Sequence, residues 1–342
     1  MEFLYEYGLF LAKAATLVIA LLLAVGGVIA LASKQKQNKG ELEINNLSQR
    51  LDDMTHHANH MILSKEEWKA LEKEGKQKQK AEKKQKNAPA EHKPSLFVID
   101  FKGSMDAKEV ECLREEVTAI LCIAKPEDQV LVRLESGGGL VHGYGLAASQ
   151  LQRIKDKGIK LTVAVDKVAA SGGYMMACVA DNLIAAKFAI IGSIGVIAQL
   201  PNFNKLLKKH DVDWEQHTAG QFKRTLTVFG ENNEAGRQKF REELEEVHVL
   251  FKDFVKEHRE QLDLDKVATG EYWYGIKAKE LNLVDALSTS DDYLLEANQN
   301  MKVYQVKYSQ HKNLMEKLGK AASISVDSII SRLWQKANQP GL

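Results

Sequence analysis

The sequence has little cysteine and almost no net charge. Its three cysteines, Cys112, Cys122 and Cys178, lie in apolar segments without the paired spacing of a metal site or a disulfide framework. We therefore predict that they are reduced residues of the core. The formal net charge is only +1, so no overall basic excess attracts nucleic acid, and we predict no nucleic-acid partner.

Histidine is missing from the middle of the chain, where none lies between His142 and His210. A serine nucleophile in that interval would therefore have no nearby histidine in the sequence to act as its usual base. His56, His57 and His60 do cluster near the N-terminus, but no acidic or cysteine partner completes a metal-binding set there. We predict no metal site and no cofactor.

A long apolar run stands close to the N-terminus. The segment Ala14–Ala32 is apolar or small apart from one threonine, which is long enough to cross a bilayer as a helix. A cleaved signal peptide is the alternative, because Ala30-Leu31-Ala32 resembles a cleavage site. That alternative fits less well, since the run is too long and Glu2 and Glu6 replace the basic start. We predict an uncleaved membrane anchor over residues 1–33.

The next segment, residues 34–94, is polar and rich in lysine and glutamine. Such a composition predicts a helical or disordered stalk. A basic run beside a membrane span could also bind anionic lipid headgroups, although a solvated spacer is the simpler interpretation.

After Pro94, strand and helix signals alternate, which predicts an α/β domain over residues 95–290. A long charged amphipathic helix is expected at Asn233–Gln261, and residues 291–342 are interpreted as a C-terminal extension. The predicted strands are Ser95–Phe101, Gln129–Leu134 and Lys160–Val165, separated by helices near Ala107–Ala124 and Tyr144–Lys157.

Two glycine-rich turns follow predicted strands, at Ser136–Gly139 and Ser171–Gly173. Turns of this kind expose backbone N–H groups at a helix N-terminus, where they can stabilise a developing oxyanion. Ser171 stands where a strand gives way to a helix, which suits the nucleophile of an acyl transfer. Judged alone, the same serine also fits an ordinary helix N-cap.

A serine nucleophile needs a base, and lysine can replace histidine where burial favours the neutral amine. Lys223 is the candidate because it lies in the uncharged, glycine-containing stretch Ala219–Thr225, apart from Arg224. Judged alone, it also fits an ordinary surface lysine. A Ser-x-x-Lys pattern at Ser309–Lys312 lacks the companion motifs of penicillin-recognising enzymes and lies in a polar tail, so we set it aside.

From about Ser95 to Leu287, the chain resembles the signal peptide peptidase family. Four motifs in the family's order carry this resemblance, namely SGGG at 136–139, DKVAASGGY at 166–174, GSIGV at 192–196 and AGQFK at 219–223.

The resemblance implies a Clp-protease/crotonase-like fold built from strand-strand-helix units and a serine-type endopeptidase. It implies Ser171 as nucleophile, Lys223 as general base and Ser193 as the residue that orients the lysine amine. It also implies an oxyanion hole from the backbone N–H groups of Gly138 and Gly172. The family's first turn usually reads Ser-Pro-Gly-Gly, so glycine at position 137 predicts a looser turn that keeps its donors.

In this family, the serine and lysine of one site can come from neighbouring chains, so we expect a homo-oligomeric ring. The implied substrates are membrane-derived, signal-peptide or unfolded polypeptides. The implied location is the bacterial inner membrane with the catalytic domain in the periplasm. Lys34, Lys36 and Lys39 favour the opposite orientation, because positive charges after a span tend to stay in the cytoplasm.

Two other interpretations use the same features. A Ser–His peptidase or a crotonase acting on coenzyme A thioesters would share the implied fold, but the first needs the missing histidine and the second has no use for Lys223. A membrane scaffold without activity would be expected to have lost Ser171, Ser193 or Lys223, and all three are present.

Overall fold

The computed structural model describes residues 7–10, 13, 15–17, 40–73, 75 and 93–310. The chain divides into two compact units, one formed by Met1–Glu41 with Ser309–Leu342 and the other by Leu42–Tyr308. The few residues described before residue 40 are helical. All further elements belong to the second unit, apart from Glu41 at the start of the first strand and Ser309 at the end of the last described strand.

Three parallel strands and two helices form the centre of the second unit. Strands β2 (Ser95–Lys102), β3 (Gln129–Glu135) and β4 (Lys160–Val165) lie side by side. Helices α2 (Val110–Ile123) and α3 (Val141–Asp156) connect them, as parallel strands require. The three strands and two helices predicted from the sequence are confirmed to within a few residues.

Four further strands widen this sheet to seven, namely β1 (Glu41–Asn46), β6 (Asn182–Ala185), β9 (Ala286–Leu287) and β10 (Lys302–Ser309). Their order is β1-β10-β2-β3-β4-β6-β9. A second sheet is formed by β5 (Val168–Ala170), β7 (Ile190–Gly192) and β8 (Tyr272–Tyr274), in that order, and an isolated bridge joins Ser136 to Ala169 of β5. The result is a mixed α/β fold with a central sheet.

Alternation along β2 shows why the central sheet is covered on both faces. Phe97, Ile99 and Phe101 point into the larger apolar cluster, whereas Leu96 and Val98 belong to a smaller cluster on the opposite face. The sequence of such a strand is a nearly continuous apolar run, which is typical of parallel sheets buried on both faces.

Short and long helices complete the unit. The bounds are α1 (Leu47–Ile62), α4 (Gly172–Ala177), α5 (Asn204–Lys209), α6 (Glu234–His258), α7 (Leu264–Val267), α8 (Gly275–Glu280) and α9 (Ser290–Asn300). Helix α6 confirms the long amphipathic helix, and Asn233 caps it by accepting a hydrogen bond from Gly236 N–H at 2.7 Å.

A long connection leads from β7 to α6. We call its residues 196–233 the lysine segment, because they include Lys223. The structure describes every residue of this segment, and none of them is buried. Asn202 holds it together by donating from Nδ2 to the carbonyl oxygens of Thr227 and Gly230, at 2.9 and 3.0 Å. The segment is therefore ordered by polar contacts and by the aromatic contacts of Phe229 with Phe203 and Trp214, without a buried core of its own.

The compact unit includes elements from the segments on both sides of residues 95–290. Strand β1 and helix α1 come from the predicted stalk, and α9 and β10 extend the unit beyond residue 290. Most of the predicted anchor and the segments 76–92 and 311–342 lie outside the described residues. Within the described part of the chain, no helix combines the length and apolar character needed to cross a membrane.

The cysteines do not share one environment. Cys178 is fully buried, and burial raises the pKa of its thiol to about 12, so it stays protonated. Cys122 is exposed and Cys112 is half-buried. The prediction that all three lie in the core is therefore wrong for Cys122, because it lies near the exposed end of α2.

Candidate active site

Ser171 is the single residue between strand β5 and helix α4. Its backbone has φ +52° and ψ −120°, a region that residues with a side chain rarely occupy. Holding a residue there costs on the order of 1–3 kcal/mol, and such strain concentrates at functional sites. The side chain makes no capping hydrogen bond to α4, so the interpretation of Ser171 as an ordinary N-cap does not fit.

Backbone hydrogen bonds from three segments hold this strained junction in place. Ser171 donates its N–H to the carbonyl oxygen of Gly192 at 2.8 Å and accepts a hydrogen bond from Met175 N–H at 3.0 Å. One residue earlier, Ala170 donates to the carbonyl oxygen of Ser136 at 3.0 Å. The serine is thus tied to the end of β7 and to the first glycine turn, which accounts for the presence of all three motifs near one point.

The first glycine turn lies directly against Ser171. Gly138 has φ +88°, and a Cβ atom added to it would come within 2.7 Å of both Ser171 Cβ and Gly172 N. Only glycine fits there, because the backbone is left-handed and the approach is too close for a side chain. The structure therefore brings together the two glycines predicted to supply the oxyanion hole.

The two glycine donors differ in their present partners. Gly138 donates its N–H to Ser136 Oγ at 3.0 Å. Gly172 is the first residue of α4, and its N–H has no acceptor among the described residues. A free N–H at a helix N-terminus is well placed to stabilise negative charge.

Ser136 connects the turn to a buried tyrosine. Its Oγ lies 2.6 Å from the hydroxyl oxygen of Tyr144, which in turn donates to the carbonyl oxygen of Ser104 at 2.8 Å. Burial raises the pKa of the Tyr144 hydroxyl, so the group is neutral and keeps its proton. The sequence indicated Tyr144 only as the start of a helix.

Ser193 shares the unusual backbone of Ser171, with φ +51°. It follows Gly192, whose carbonyl accepts the Ser171 N–H, and its own N–H donates to the carbonyl oxygen of Glu271 at 2.7 Å. The Ser193 hydroxyl donates to the Gly270 carbonyl oxygen at 3.4 Å. Ser193 therefore lies next to the residue that anchors Ser171, in a position fixed by the loop before β8.

Lys223 lies apart from this arrangement. It is exposed in a turn of the lysine segment, where its N–H donates to the Gly220 carbonyl oxygen at 3.2 Å. Among the described residues, its ammonium group has no hydrogen-bond or ion-pair partner. The structure thus brings together Ser171, Gly138, Gly172 and the neighbourhood of Ser193, but it shows no contact between Lys223 and any of them.

The histidine cluster near the N-terminus has a packing role. His56 and His60 contact Trp68 edge to face, with ring centroids 4.6 and 5.2 Å apart. In the part of the chain that the structure describes, no three histidine, cysteine or acidic side chains are arranged to hold a metal ion.

Sequence reasoning missed the residues that support the site from behind. Tyr144, Gly192 and Glu271 act through a side chain or a backbone carbonyl that meets the site only in the folded chain. One signal was available, because Tyr144 stands between Gly143 and Gly145 at the start of a helix that follows a glycine turn. Only Gly143 reflects a close approach, because a Cβ atom there would come within 2.9 Å of Ala107 Cβ, whereas one on Gly145 would meet nothing within 4 Å.

Comparisons with known proteins agree with this arrangement of motifs. The family model "Peptidase family S49 N-terminal" matches residues 2–151, and the model "Peptidase family S49" matches residues 153–304. The chain is 51% identical to "Probable protease SohB" of Haemophilus influenzae, over 99% of this chain and 98% of that protein. It is 48% identical to the protein of the same name from Buchnera aphidicola subsp. Schlechtendalia chinensis, over 86% of this chain and 99% of that one.

A solved structure of a membrane-bound stomatin-specific protease in complex with a substrate peptide is also similar, with 14% identity and a TM-score of 0.41. The alignment covers 66% of this chain and 96% of that one. The family assignment comes from the sequence matches, which extend over nearly the whole chain and confirm the resemblance carried by the four motifs. The chain belongs to peptidase family S49, and it is a peptidase.

Proposed function

We propose that this chain is a membrane-anchored serine endopeptidase in which Ser171 is the nucleophile and Lys223 the general base. In this proposal, Ser193 orients the lysine amine, and the N–H groups of Gly138 and Gly172 form the oxyanion hole. No cofactor takes part.

The observation that carries the proposal is the conformation of Ser171. A half-buried serine between a strand and a helix, with positive φ and no capping hydrogen bond, has a hydroxyl that the helix does not occupy, as a nucleophile requires. The neighbouring N–H of Gly172 has no acceptor in the described part of the chain, and Gly138 lies against Ser171. A nucleophile with oxyanion donors on both sides is the arrangement that acyl transfer requires.

The reaction would follow the two steps of covalent catalysis. Ser171 Oγ attacks the peptide carbonyl carbon while neutral Lys223 Nζ takes the hydroxyl proton, and the carbonyl electrons move to the oxyanion. Collapse of this intermediate breaks the C–N bond, and Lys223 gives its proton to the leaving amine. Water then attacks the acyl-enzyme, with Lys223 again accepting the proton and returning it to Ser171 Oγ.

The exposure of Lys223 supports a site shared between chains. A lysine acts as a base only in its neutral form, and burial favours that form. Within one chain Lys223 is exposed, so a second chain would have to cover it. We therefore propose a homo-oligomeric ring in which the lysine segment of one chain reaches the Ser171 junction of its neighbour.

The remaining parts of the proposal come from the family. The two-sheet arrangement, in which β4 is followed by β5 and then α4, suits the strand-strand-helix units of a Clp-protease/crotonase-like fold. We further propose anchoring in the bacterial inner membrane by the N-terminal apolar run, with the catalytic domain in the periplasm. The substrates would be membrane-derived, signal-peptide or unfolded polypeptides.

The proposal is tested by comparing the full-length chain with Ser171→Ala and Lys223→Ala for cleavage of an unfolded protein and of a signal peptide. Both variants should lose activity by about 10⁴-fold or more. Lys209→Ala is the control, because Lys209 is also exposed in the lysine segment. It should keep wild-type turnover. Full activity of either active-site variant would contradict the Ser–Lys mechanism, and an inactive wild type would favour a scaffold.

The shared site is tested by mixing the two inactive variants. Co-assembled Ser171→Ala and Lys223→Ala chains should recover part of the activity, because some interfaces then contain one intact serine and one intact lysine. Mixed oligomers verified by mass spectrometry that remain inactive would show that both residues act within one chain.

A further inference from the structure

A chain of hydrogen bonds with one direction runs beneath the first glycine turn. The Ser104 carbonyl can only accept, so the Tyr144 hydroxyl must give its single proton to it. The short contact between Tyr144 and Ser136 is then made by the Ser136 hydroxyl as donor. Ser136 Oγ in turn accepts from Gly138 N–H. The order is therefore Gly138 N–H to Ser136, Ser136 to Tyr144, and Tyr144 to the Ser104 carbonyl.

These hydrogen-bonded side chains are buried and closely packed against the backbone. Tyr144 is fully buried and Ser136 nearly so. A Cβ atom on Gly172 would come within 2.5 Å of Tyr144 Cγ, and one on Gly103 would collide with the Tyr144 hydroxyl. The tyrosine ring is thus wedged between the residue after the nucleophile and the loop that follows β2.

We infer that Tyr144 is a positioning residue for the proposed oxyanion hole: through Ser136 it fixes the Gly138 peptide against Ser171. The inference rests on the proposed function, since it concerns a donor of that same site. Tyr144 does not touch the reacting atoms in this account. It fixes the position of the Gly138 N–H before the substrate binds.

The direction of the hydrogen bonds explains how Ser136 can hold the Gly138 N–H and still leave it available to an oxyanion. A neutral hydroxyl such as Ser136 Oγ is a weaker acceptor than an oxyanion, so the developing charge draws the Gly138 N–H toward itself. Until then, the Ser136 bond keeps the peptide oriented. Without the Tyr144 hydroxyl, the buried Ser136 hydroxyl would lose its acceptor, and the Ser104 carbonyl would keep only the hydrogen bond from Ala107 N–H. The Gly138 peptide would then be held less firmly.

The first test replaces only the hydroxyl, in Tyr144→Phe. The kcat should fall at least about tenfold with little change in KM, since an oxyanion contact acts in the transition state. Tyr174→Phe is the matched control. Tyr174 is also fully buried, and its hydroxyl donates to the Leu283 carbonyl oxygen at 2.9 Å, away from the turn. It should lose similar stability and keep its kcat. An equal kcat in the two variants would overturn the inference.

The second test asks whether Ser136 and Tyr144 act as one chain. Ser136→Ala should lower kcat about as much as Tyr144→Phe, and the double variant should lose little more than either alone. Losses that multiply would mean independent roles. A rise in kcat for Ser136→Ala would mean that the hydroxyl only competes for the Gly138 donor. Either result would contradict the positioning role.

Amide hydrogen exchange separates this inference from the proposed function, because it needs no turnover. Exchange at residues 137–139 should be at least about tenfold faster in Tyr144→Phe than in the wild type, and unchanged in Tyr174→Phe. Unchanged exchange in Tyr144→Phe would overturn the inference even if Ser171→Ala is inactive. Faster exchange in a chain that cleaves no peptide would leave the hydrogen-bond chain standing and refute only the peptidase mechanism.

Discussion

Ser171 and Lys223 lie in regions that are built in opposite ways. Every residue of α4, which follows Ser171, is buried, and the junction is fixed by hydrogen bonds to the first glycine turn and to β7. The lysine segment has no buried residue, although it carries many large apolar side chains. These exposed residues are Ile197, Leu200, Phe203, Leu206, Val212, Trp214, Phe222 and Phe229.

The contrast shows that one chain completes the nucleophile half of the proposed site and leaves the base half uncovered. A soluble protein rarely concentrates so many exposed apolar side chains unless another surface covers them. The core should therefore respond strongly to substitutions within an isolated chain, whereas the lysine segment should respond weakly. Two pairs of variants test that difference, and a pH titration tests the core alone.

The largest difference is expected between two ion pairs. The Asp285 carboxylate accepts one hydrogen bond from each terminal nitrogen of Arg259, at 2.7 and 2.8 Å. The arginine side chain is only 4% exposed. Removing the carboxylate in Asp285→Ala leaves a buried charge unpaired and should lower the free energy of unfolding by about 3–5 kcal/mol. Thermal and denaturant unfolding of the full-length chain would measure this loss.

The matched change lies in the lysine segment, where Glu231 pairs with Lys208 at 2.9 Å but both side chains are mostly exposed. Glu231→Ala should cost less than about 1 kcal/mol, because solvent screens an exposed pair. Comparable losses in the two variants would remove the contrast between the regions.

The next effect concerns the pH dependence of stability and arises from Glu116 on α2. Burial is the main cause that raises the pKa of its carboxyl from 4.5 to about 7, with the nearby Asp100 adding to the effect. The Tyr308 N–H, which donates to Glu116 at 2.8 Å, and the charge of Lys307 act in the opposite direction. The folded protein therefore holds a proton that the unfolded chain releases between about pH 4.5 and pH 7.

Stability from this group is accordingly complete below about pH 4.5 and is lost as the pH rises through about 7. Glu116→Gln keeps an acceptor for Tyr308 and cannot ionise. It should be more stable than the wild type at pH 8 by up to about 3 kcal/mol, and equal to it at pH 4.5. Denaturant titrations at both pH values measure this, and identical pH slopes would mean that Glu116 is not buried as described.

The smallest difference in stability between the two regions is expected when a single methyl group is removed from each. Ile191 on β7 is fully buried, and Ile197 in the lysine segment is 80% exposed. Ile191→Val should lower the free energy of unfolding by about 0.5–1.5 kcal/mol, and Ile197→Val should change it by less than about 0.5 kcal/mol. If Ile197→Val were the costlier change in a dilute, dissociated sample, the lysine segment would have a core that this structure lacks.

The sequence pattern predicted the centre of the fold well, because each strand and helix there has the spacing of apolar residues that is typical of its type. Strands β2, β3 and β4 are apolar runs of the right length, and α2 and α3 have one apolar face each. The position of Ser171 between a strand and a helix was also predictable, since the predicted strand Lys160–Val165 precedes it and Gly172 and Gly173 follow it directly.

The edges of the sheet were not predictable in this way. Strand β1 is exposed along its whole length and is held by backbone hydrogen bonds, which hydropathy does not record. Strand β10 joins β2 across about two hundred residues of sequence, with Lys302 opposite Ser95. The support of the glycine turn by Tyr144 was hidden for the same reason, because it depends on contacts between distant segments.

The place of β10 also has a consequence for how the protein is made. Of the strands that the structure describes, it is the last to leave the ribosome, yet it lies between β1 and β2, the first two to emerge. Until synthesis passes Ser309, both of those strands lack their neighbour and present open backbone edges, to which other nascent chains can pair. The enzyme is therefore unable to close its sheet, and to protect those edges, before almost all of its chain has been translated.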